Sequence, residues 1–297
     1  MMILDGKVIA NNIYEQLRCE VEYLRQQGVV PHIALLLVGD NPASLTYVRA
    51  KSRACERVGI RSTVLHLPAE TSEEEVLSHI QEWNIDPTVH GILVQLPLPT
   101  HIDSERVILS IDPLKDVDGF HPVNIGRMLV GLPSFIPCTP AGIVELLRRY
   151  DVSVRGKHVV VVGRSLIVGK PVANLLLQKA PWADAIVTVC HSATANLRQY
   201  TRSADVLIVA VGRAEFITAD DVREGAVVID VGINRVPDDT SPNGYRIVGD
   251  VAFASVAPKV SAITPVPGGV GPMTIAMLLR NTVNAANGQA WRKHLFQ

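Results

Sequence analysis

Residues 158–177 read HVVVVGRSLIVGKPVANLLL. A run of β-branched apolar residues, a turn carrying Gly163 and Gly169, and a helical apolar pattern predict a buried strand, a tight turn and a helix. Such a turn aims backbone N–H groups and the positive end of a helix at an anion, as a pyrophosphate requires. The glycine spacing is irregular, because Ser165 holds the second position of a GxGxxG pattern and the last glycine falls one residue late. Taken by itself the stretch therefore fits a dinucleotide turn and a plain βα turn equally. A P-loop is excluded: five residues separate the glycines, and after Lys170 comes Pro171, where a Ser or Thr hydroxyl would hold magnesium.

Outward from this turn, short apolar strands alternate with helical periodicity along most of the chain, the pattern of βαβ units and a mainly parallel sheet. Strands are predicted at residues 157–162, 186–189, 206–211 and 227–231, and earlier at 32–38, 62–67 and 91–96. Helices are predicted at 44–58 and at 73–83, the latter opened by a capping box of Ser72 and Glu75. Residues 112–140 are rich in Pro and Gly and read as an active-site loop plus crossover. Thr139 as N-cap and Pro140 at the first helical position start a helix running to about residue 150, where the chain passes into a second lobe. Residues 236–245, including PDDTSPNG, read as an exposed loop, and a final helix spans 272–286. The fold class is α/β in two lobes, with an N-terminal domain over residues 1–140, a Rossmann-like domain over 141–271 and a cleft between them.

Composition limits the partners. The 297 residues are enough for two domains with sizeable cores. Although 47% are hydrophobic, no run reaches the roughly 18–20 apolar residues of a membrane span. The start, MMILDGKVIANN, lacks the apolar core of a secretory signal, so a cytoplasmic location is expected. Twenty-eight Lys and Arg against 29 Asp and Glu leave no basic block for nucleic acid, and a small substrate is expected. Cys19, Cys55, Cys138 and Cys190 have no metal spacing and read as core residues, and no metal site is expected.

The strand after the glycine turn ends in Val189-Cys190-His191-Ser192. An NAD site usually places Asp or Glu there, to accept from the ribose 2′-OH. A 2′-phosphate is instead suited by Ser192, with Arg164 or His191, which points to NADP; the alternative role for Ser192 is to cap the following helix. In the first lobe, Gly39-Asp40-Asn41-Pro42 makes a turn, and the next helix carries Tyr47 and Lys51 four residues apart on one face. Gln95 ends a strand ahead of Leu96-Pro97-Leu98-Pro99, and Lys115-Asp116-Val117-Asp118-Gly119 puts two carboxylates on a turn. Gln95 also fits a role in satisfying local backbone, and either Asp a role as a turn residue; the convergence of these segments on one sheet edge is what points to a site.

Together the runs 47–51 (YVRAK), 94–99 (VQLPLP), 115–119 (KDVDG), 163–165 with 168–171, and 264–274 (TPVPGGVGPMT) resemble the bifunctional methylenetetrahydrofolate dehydrogenase/methenyltetrahydrofolate cyclohydrolase family over nearly the full length. The resemblance implies NADP-dependent oxidation of 5,10-methylenetetrahydrofolate, followed by hydrolysis of the methenyl product to 10-formyltetrahydrofolate. It puts the catalytic lysine on Lys51, its aromatic partner on Tyr47, the lysine-orienting glutamine on Gln95 and the pterin-binding carboxylate on Asp118. The oxidised folate is a cation beside Lys51, which favours the neutral amine able to activate water. The resemblance also implies cofactor contacts at Gly163, Arg164, Ser165, Ser192 and Ile233, and a backbone approach by Pro267, Gly268 and Gly269. It implies a C-terminal helix (272–297) that completes the first domain, and a homodimer formed through the second. A departure is KAPWADA at 179–185, longer than usual, which leaves the register of Ser192 open. Two other readings stay open at this level: a monofunctional NAD(P)-dependent dehydrogenase, and a non-catalytic dinucleotide sensor that would leave Tyr47, Lys51, Gln95 and Asp118 without a task.

Overall fold

A strand that is apolar at nearly every position has to be covered on both faces, and HIALLLV at 32–38 is such a strand. In the computed structural model, which describes residues 1–241, 244–292 and 295–296, it forms the centre of a parallel sheet. The elements begin with β1 (Met2–Ile3), α1 (Gly6–Gln26), β2 (His32–Val38), α2 (Pro42–Val58), β3 (Arg61–Leu67), α3 (Glu73–Ile85) and β4 (Gly91–Val94). Three helices follow: α4 (Ser104–Leu109), α5 (Pro122–Leu129) and α6 (Cys138–Arg149). A second alternation runs through β5 (His158–Val162), α7 (Gly169–Leu176), β6 (Ile186–Cys190), α8 (Leu197–Thr201), β7 (Val206–Val209) and β8 (Val227–Asp230). It closes with β9 (Asn234–Pro237), β10 (Tyr245–Val248), α9 (Phe253–Val256), β11 (Ala262–Ile263) and α10 (Val270–Ala286).

The chain divides into two compact units. One comprises Asn11–Cys138 with Ile275–Leu295. Its sheet has the order β3-β2-β4, parallel throughout, with every residue of β2 buried. Ala34, Leu36, Val38, Ile92 and Val94 of the sheet share a core with Val76 and Ile80 of α3 and Val107 of α4. Each such Leu or Ile contributes about 1.5–3 kcal/mol on burial.

The other unit comprises Met1–Ala10, Thr139–Thr274 and Phe296. Its main sheet has six parallel strands in the order β1-β11-β8-β7-β5-β6. From β5 the chain moves outward to β6 and then returns to β7 on the other side. The order therefore reverses between β5 and β7, and ligands of open α/β sheets bind beyond the strand ends at such a point. Among the described residues, no helix is long and apolar enough to cross a membrane.

Several sequence expectations are corrected. The first 26 residues form an edge strand and a 21-residue helix that the sequence reading did not recognise. Residues 112–140 include a helix, α5, started by the His121 side chain, which accepts from Val123 N, and by Pro122 at the first position. α6 begins at Cys138, so Thr139 lies inside the first turn and is not its N-cap; its hydroxyl pairs with that of Thr274 at 3.0 Å. Pro140 is tolerated because the first-turn N–H groups have no helical acceptor. Residues 236–245 are not simply a loop, since β9 and β10 pair as an antiparallel hairpin; Pro242 and Asn243 lie outside the described residues.

Candidate active site

In the unit built on β2, local sequence delivers the side chains to one sheet edge. Gly39 turns the chain with a φ of 77°, and Asn41 Oδ1 accepts from Ala43 N at 3.0 Å and Ser44 N at 3.1 Å. Capped by Asn41 and opened by Pro42, α2 starts two residues earlier than expected and presents Tyr47 and Lys51 one turn apart. The β2–β4 ladder ends with Leu36 opposite Val94, and Gln95 N donates to Leu36 O at 2.8 Å. β4 therefore stops at Val94, and Gln95 opens a loop in which the Leu96–Pro97 bond is cis.

There Lys51 Nζ donates to Gln95 Oε1 at 3.0 Å. The other end of the amide is also committed: Gln95 Nε2 donates to Leu96 O at 2.8 Å. With the nitrogen held by a carbonyl, the oxygen must face the lysine. The one amide thus bonds local backbone and Lys51 at once. Tyr47 is 38% exposed on the same helix.

Asp118 joins this group. Burial pushes its carboxyl up, while the charge of Lys51 and a hydrogen bond from the Cys138 thiol pull it down. Asp116, the other carboxylate of the turn, is structural. It is buried and accepts from Gly119 N, Phe120 N, His121 N and Asn124 Nδ2 at 3.1, 3.3, 2.8 and 2.9 Å. Burial raises it to about 7 in spite of those donors. Gly119 must be glycine: its φ is 79°, and a Cβ would lie 2.7 Å from Ile136 C and Pro137 N.

In the other unit, β5 runs into Gly163, whose φ is 128° and whose Cβ would lie 2.2 Å from Ala210 O. The residue is glycine so that the turn can close against the chain leaving β7, at the reversal of strand order. Gly169 is equally constrained, since a Cβ there would lie 2.2 Å from Gly163 O. Ser165 closes the turn from within, its Oγ accepting from Val168 N at 3.1 Å and Gly169 N at 3.3 Å, and its carbonyl from Lys170 N at 3.0 Å. The first N–H groups of α7 are therefore occupied, contrary to the expectation that the helix end itself faces the anion. Available instead are the backbone N–H groups of residues 164–167, which donate to no other described residue. Arg164 and Ser165 are exposed.

Pairing of Val162 with Cys190 fixes the register of the next strand and puts Ser192 two residues beyond its end, exposed. Ser192 is not a helix cap, because α8 starts at Leu197 with Asn196 at the cap position. His191 Nδ1 accepts from Ala193 N at 3.2 Å, which leaves the proton of the neutral ring on Nε2. Ile233, three residues after β8, is 47% exposed. Pro267 follows a cis bond, and Gly268 has a φ of 118° and accepts from Lys7 N at 3.1 Å. A Cβ on Gly6 would lie 1.8 Å from Gly269 O. The close approach made by this glycine run is thus to the N-terminal segment of the same unit.

Sequence reading missed some of the supporting residues. Cys138, read as core, sits against both Val117 O, at 3.3 Å, and the Asp118 carboxyl. Asp250 is fully buried and accepts from Val211 N, Gly212 N, Arg213 N and Asn234 Nδ2. Asp230 accepts from Gly232 N, Asp250 N and Val251 N, and burial raises it to about 6. The sequence signal was an acid directly after an apolar strand (VVID) and another in IVGDVA.

Comparison with known proteins is consistent over the whole chain. Residues 4–118 match the model of the tetrahydrofolate dehydrogenase/cyclohydrolase catalytic domain, and residues 137–290 match that family's NAD(P)-binding domain. The bifunctional protein FolD of Prosthecochloris aestuarii is 57% identical over 288 residues, 96% of this chain and 98% of the relative. The bifunctional FolD methylenetetrahydrofolate dehydrogenase/cyclohydrolase of Campylobacter jejuni superposes with a TM-score of 0.92 at 50% identity, covering 97% of this chain and 99% of that one. The Trypanosoma brucei dehydrogenase-cyclohydrolase, solved with NADP and an inhibitor, gives 0.92 at 39% identity, covering 97% and 98%.

Proposed function

The chain belongs to the tetrahydrofolate dehydrogenase/cyclohydrolase family, and from that premise we propose that Lys51, Gln95, Tyr47 and Asp118 carry its chemistry. The enzyme oxidises 5,10-methylenetetrahydrofolate with NADP and hydrolyses the methenyl product to 10-formyltetrahydrofolate. The observation that carries the residue assignment is the Lys51–Gln95 hydrogen bond of 3.0 Å.

Hydrolysis adds water to the bridging carbon and breaks its bond to N5, leaving the formyl group on N10. Lys51 Nζ takes the proton from that water. Gln95 Oε1 is only an acceptor, so it holds either protonation state of the amine and leaves the lone pair of the neutral form free for the water. Asp118 accepts from the amino group and ring N–H of the pterin, two donors that favour the ionised carboxylate and oppose the burial that raises it. Tyr47 flanks the reacting carbon from the same helix face as Lys51.

The residues of the β5 turn suit a pyrophosphate, with glycines where a Cβ would strike backbone and unengaged N–H groups at 164–167. NADP, when bound, accepts the hydride from the bridging carbon. Gly163, Arg164 and Ser165 would hold its phosphates and Ile233 its nicotinamide end. Ser192, with His191 Nε2–H and Arg164, would hold the 2′-phosphate, and Cys190 stands where an NAD enzyme has its acid.

The unit of residues 11–138 and 275–295 is assigned to folate and catalysis, and the unit of residues 139–274, which residues 1–10 join through β1, to NADP. The chain acts as a cytoplasmic homodimer paired through the NADP domain. Support for the pairing comes from β6, an edge strand with Ile186 63% and Val189 39% exposed. Measuring both activities with NADP and with NAD tests the reading. NADP-preferring oxidation with hydrolysis is expected; a marked NAD preference, or no hydrolysis, contradicts it.

A further inference from the structure

Two side chains near the C-terminus donate hydrogen bonds that converge on the turn bearing Asp118, and neither reaction step uses them. Asn281 of α10 is 1% exposed in an otherwise largely apolar stretch of helix. Its Nδ2 donates to Val117 O at 2.9 Å and Ile136 O at 3.2 Å, and lies 3.8 Å from Cys138 Sγ. Val117 immediately precedes Asp118, and Ile136 is the residue against which Gly119 closes. One buried amide therefore ties residue 117, next to Asp118, to residue 136, and the Cys138 thiol, which donates to Val117 O at 3.3 Å, belongs to the same cluster.

The second brace reaches the turn through Asn124. Trp291 Nε1 donates to Asn124 Oδ1 at 2.9 Å, and the Arg127 guanidinium covers the indole ring at 4.4 Å. Asn124 is fully buried and passes the contact on, its Nδ2 donating to Asp116 Oδ2 and Pro113 O, both at 2.9 Å. Asp116 in turn gathers the N–H groups of residues 119–121. An apolar side chain at 281 would fill the space, but it would leave two buried carbonyls without donors. Asn281 bonds this turn directly and Trp291 reaches it through Asn124, which points to a task beyond packing.

We infer that Asn281 and Trp291 are positioning residues for the folate substrate, holding Asp118 where the pterin meets it. The inference rests on the reading of Asp118 as the pterin ligand. The test is a kinetic cycle in the full chain with 5,10-methylenetetrahydrofolate and NADP. Asn281→Leu, similar in volume and without the donor, is expected to raise the folate KM about tenfold and to leave the NADP KM within about twofold. Trp291→Phe keeps an aromatic ring under Arg127 and is expected to raise the folate KM about threefold.

In an Asp118→Ala background, which itself weakens folate binding, either change is expected to add less than about twofold, because the group it positions is gone. An equal rise in both KM values, or the same tenfold loss repeated in the Asp118→Ala background, overturns the inference in favour of a general structural role. If Asn281→Leu does not fold, Trp291→Phe completes the same cycle, and an unchanged folate KM there overturns the inference. An unchanged folate KM in Asp118→Ala alone overturns the reading of Asp118 itself, and this inference with it.

Discussion

Gly163→Ala isolates the cofactor turn. A Cβ at this position would lie 2.2 Å from Ala210 O, a backbone atom with no rotamer to move, at a φ of 128° that side chains rarely adopt. The backbone conformation by itself costs about 1–3 kcal/mol, and relief of the contact adds to that. The strain has two outlets. If the turn keeps its shape the fold carries the strain, and Tm falls by about 2–4 °C for each kcal/mol. If the turn opens, the N–H groups of residues 164–167 no longer converge, and about 1–3 kcal/mol appears as a loss of NADP affinity of about five- to 150-fold. Calorimetric titration with NADP and thermal unfolding of the same variant read both outlets, while folate binding should stay within about twofold of the parent. An alanine variant with both NADP affinity and Tm unchanged would refute the reasoning.

Ser192→Asp is expected to cut kcat/KM for NADP by about 10–100-fold through like-charge repulsion of the 2′-phosphate and to change that for NAD less than about threefold, checked by steady-state kinetics with each dinucleotide. Gln95→Leu removes the acceptor of Lys51 Nζ and should lower the rate of methenyltetrahydrofolate hydrolysis about 100-fold, with a change in folate KM below about threefold; a hydrolysis rate near the parent's would show that the lysine needs no such orientation. The pH dependence of stability is carried in part by His90, whose Nδ1 accepts from His32 N at 3.2 Å. Burial, then the neighbouring charges of His32 and Lys115, hold its ring below the ordinary histidine value, with Asp86 opposing. Below about pH 6.5 the unfolded chain takes up a proton that the folded one refuses, so this contribution is present above that pH and is lost as pH falls toward the folded value. The stability difference between parent and His90→Ala, measured by urea unfolding, should therefore shrink from pH 7.5 to pH 5.5; a constant difference would contradict the assignment.

Sequence revealed the parts of the fold written in periodicity. HIALLLV and HVVVV are legible because a strand buried on both faces has to be apolar throughout, and each is paired with a strand on either side. The edges were harder to read. β1 and β11 are two residues each and gain their identity only from pairing with one another and with β8. The hairpin β9–β10 shows little apolar alternation because its residues are only partly buried.

At the site, Lys51 and Gln95 stand in separate motifs, and their meeting depends on β2–β4 register, which neither motif encodes. Ser165 shows the opposite case: the residue was picked out, but its closure of the turn over the α7 N–H groups depends on a backbone path no spacing rule encodes. Asn281 and Trp291 were illegible as part of the Asp118 turn because their contacts join residues more than 140 positions apart.

Lys51 handles the proton in the proposed folate hydrolysis. The most direct test is the rate of methenyltetrahydrofolate hydrolysis by Lys51→Met, measured alongside folate and NADP binding. Hydrolysis is expected to be lost and oxidation impaired while both ligands still bind. Hydrolysis at the parent rate would contradict it.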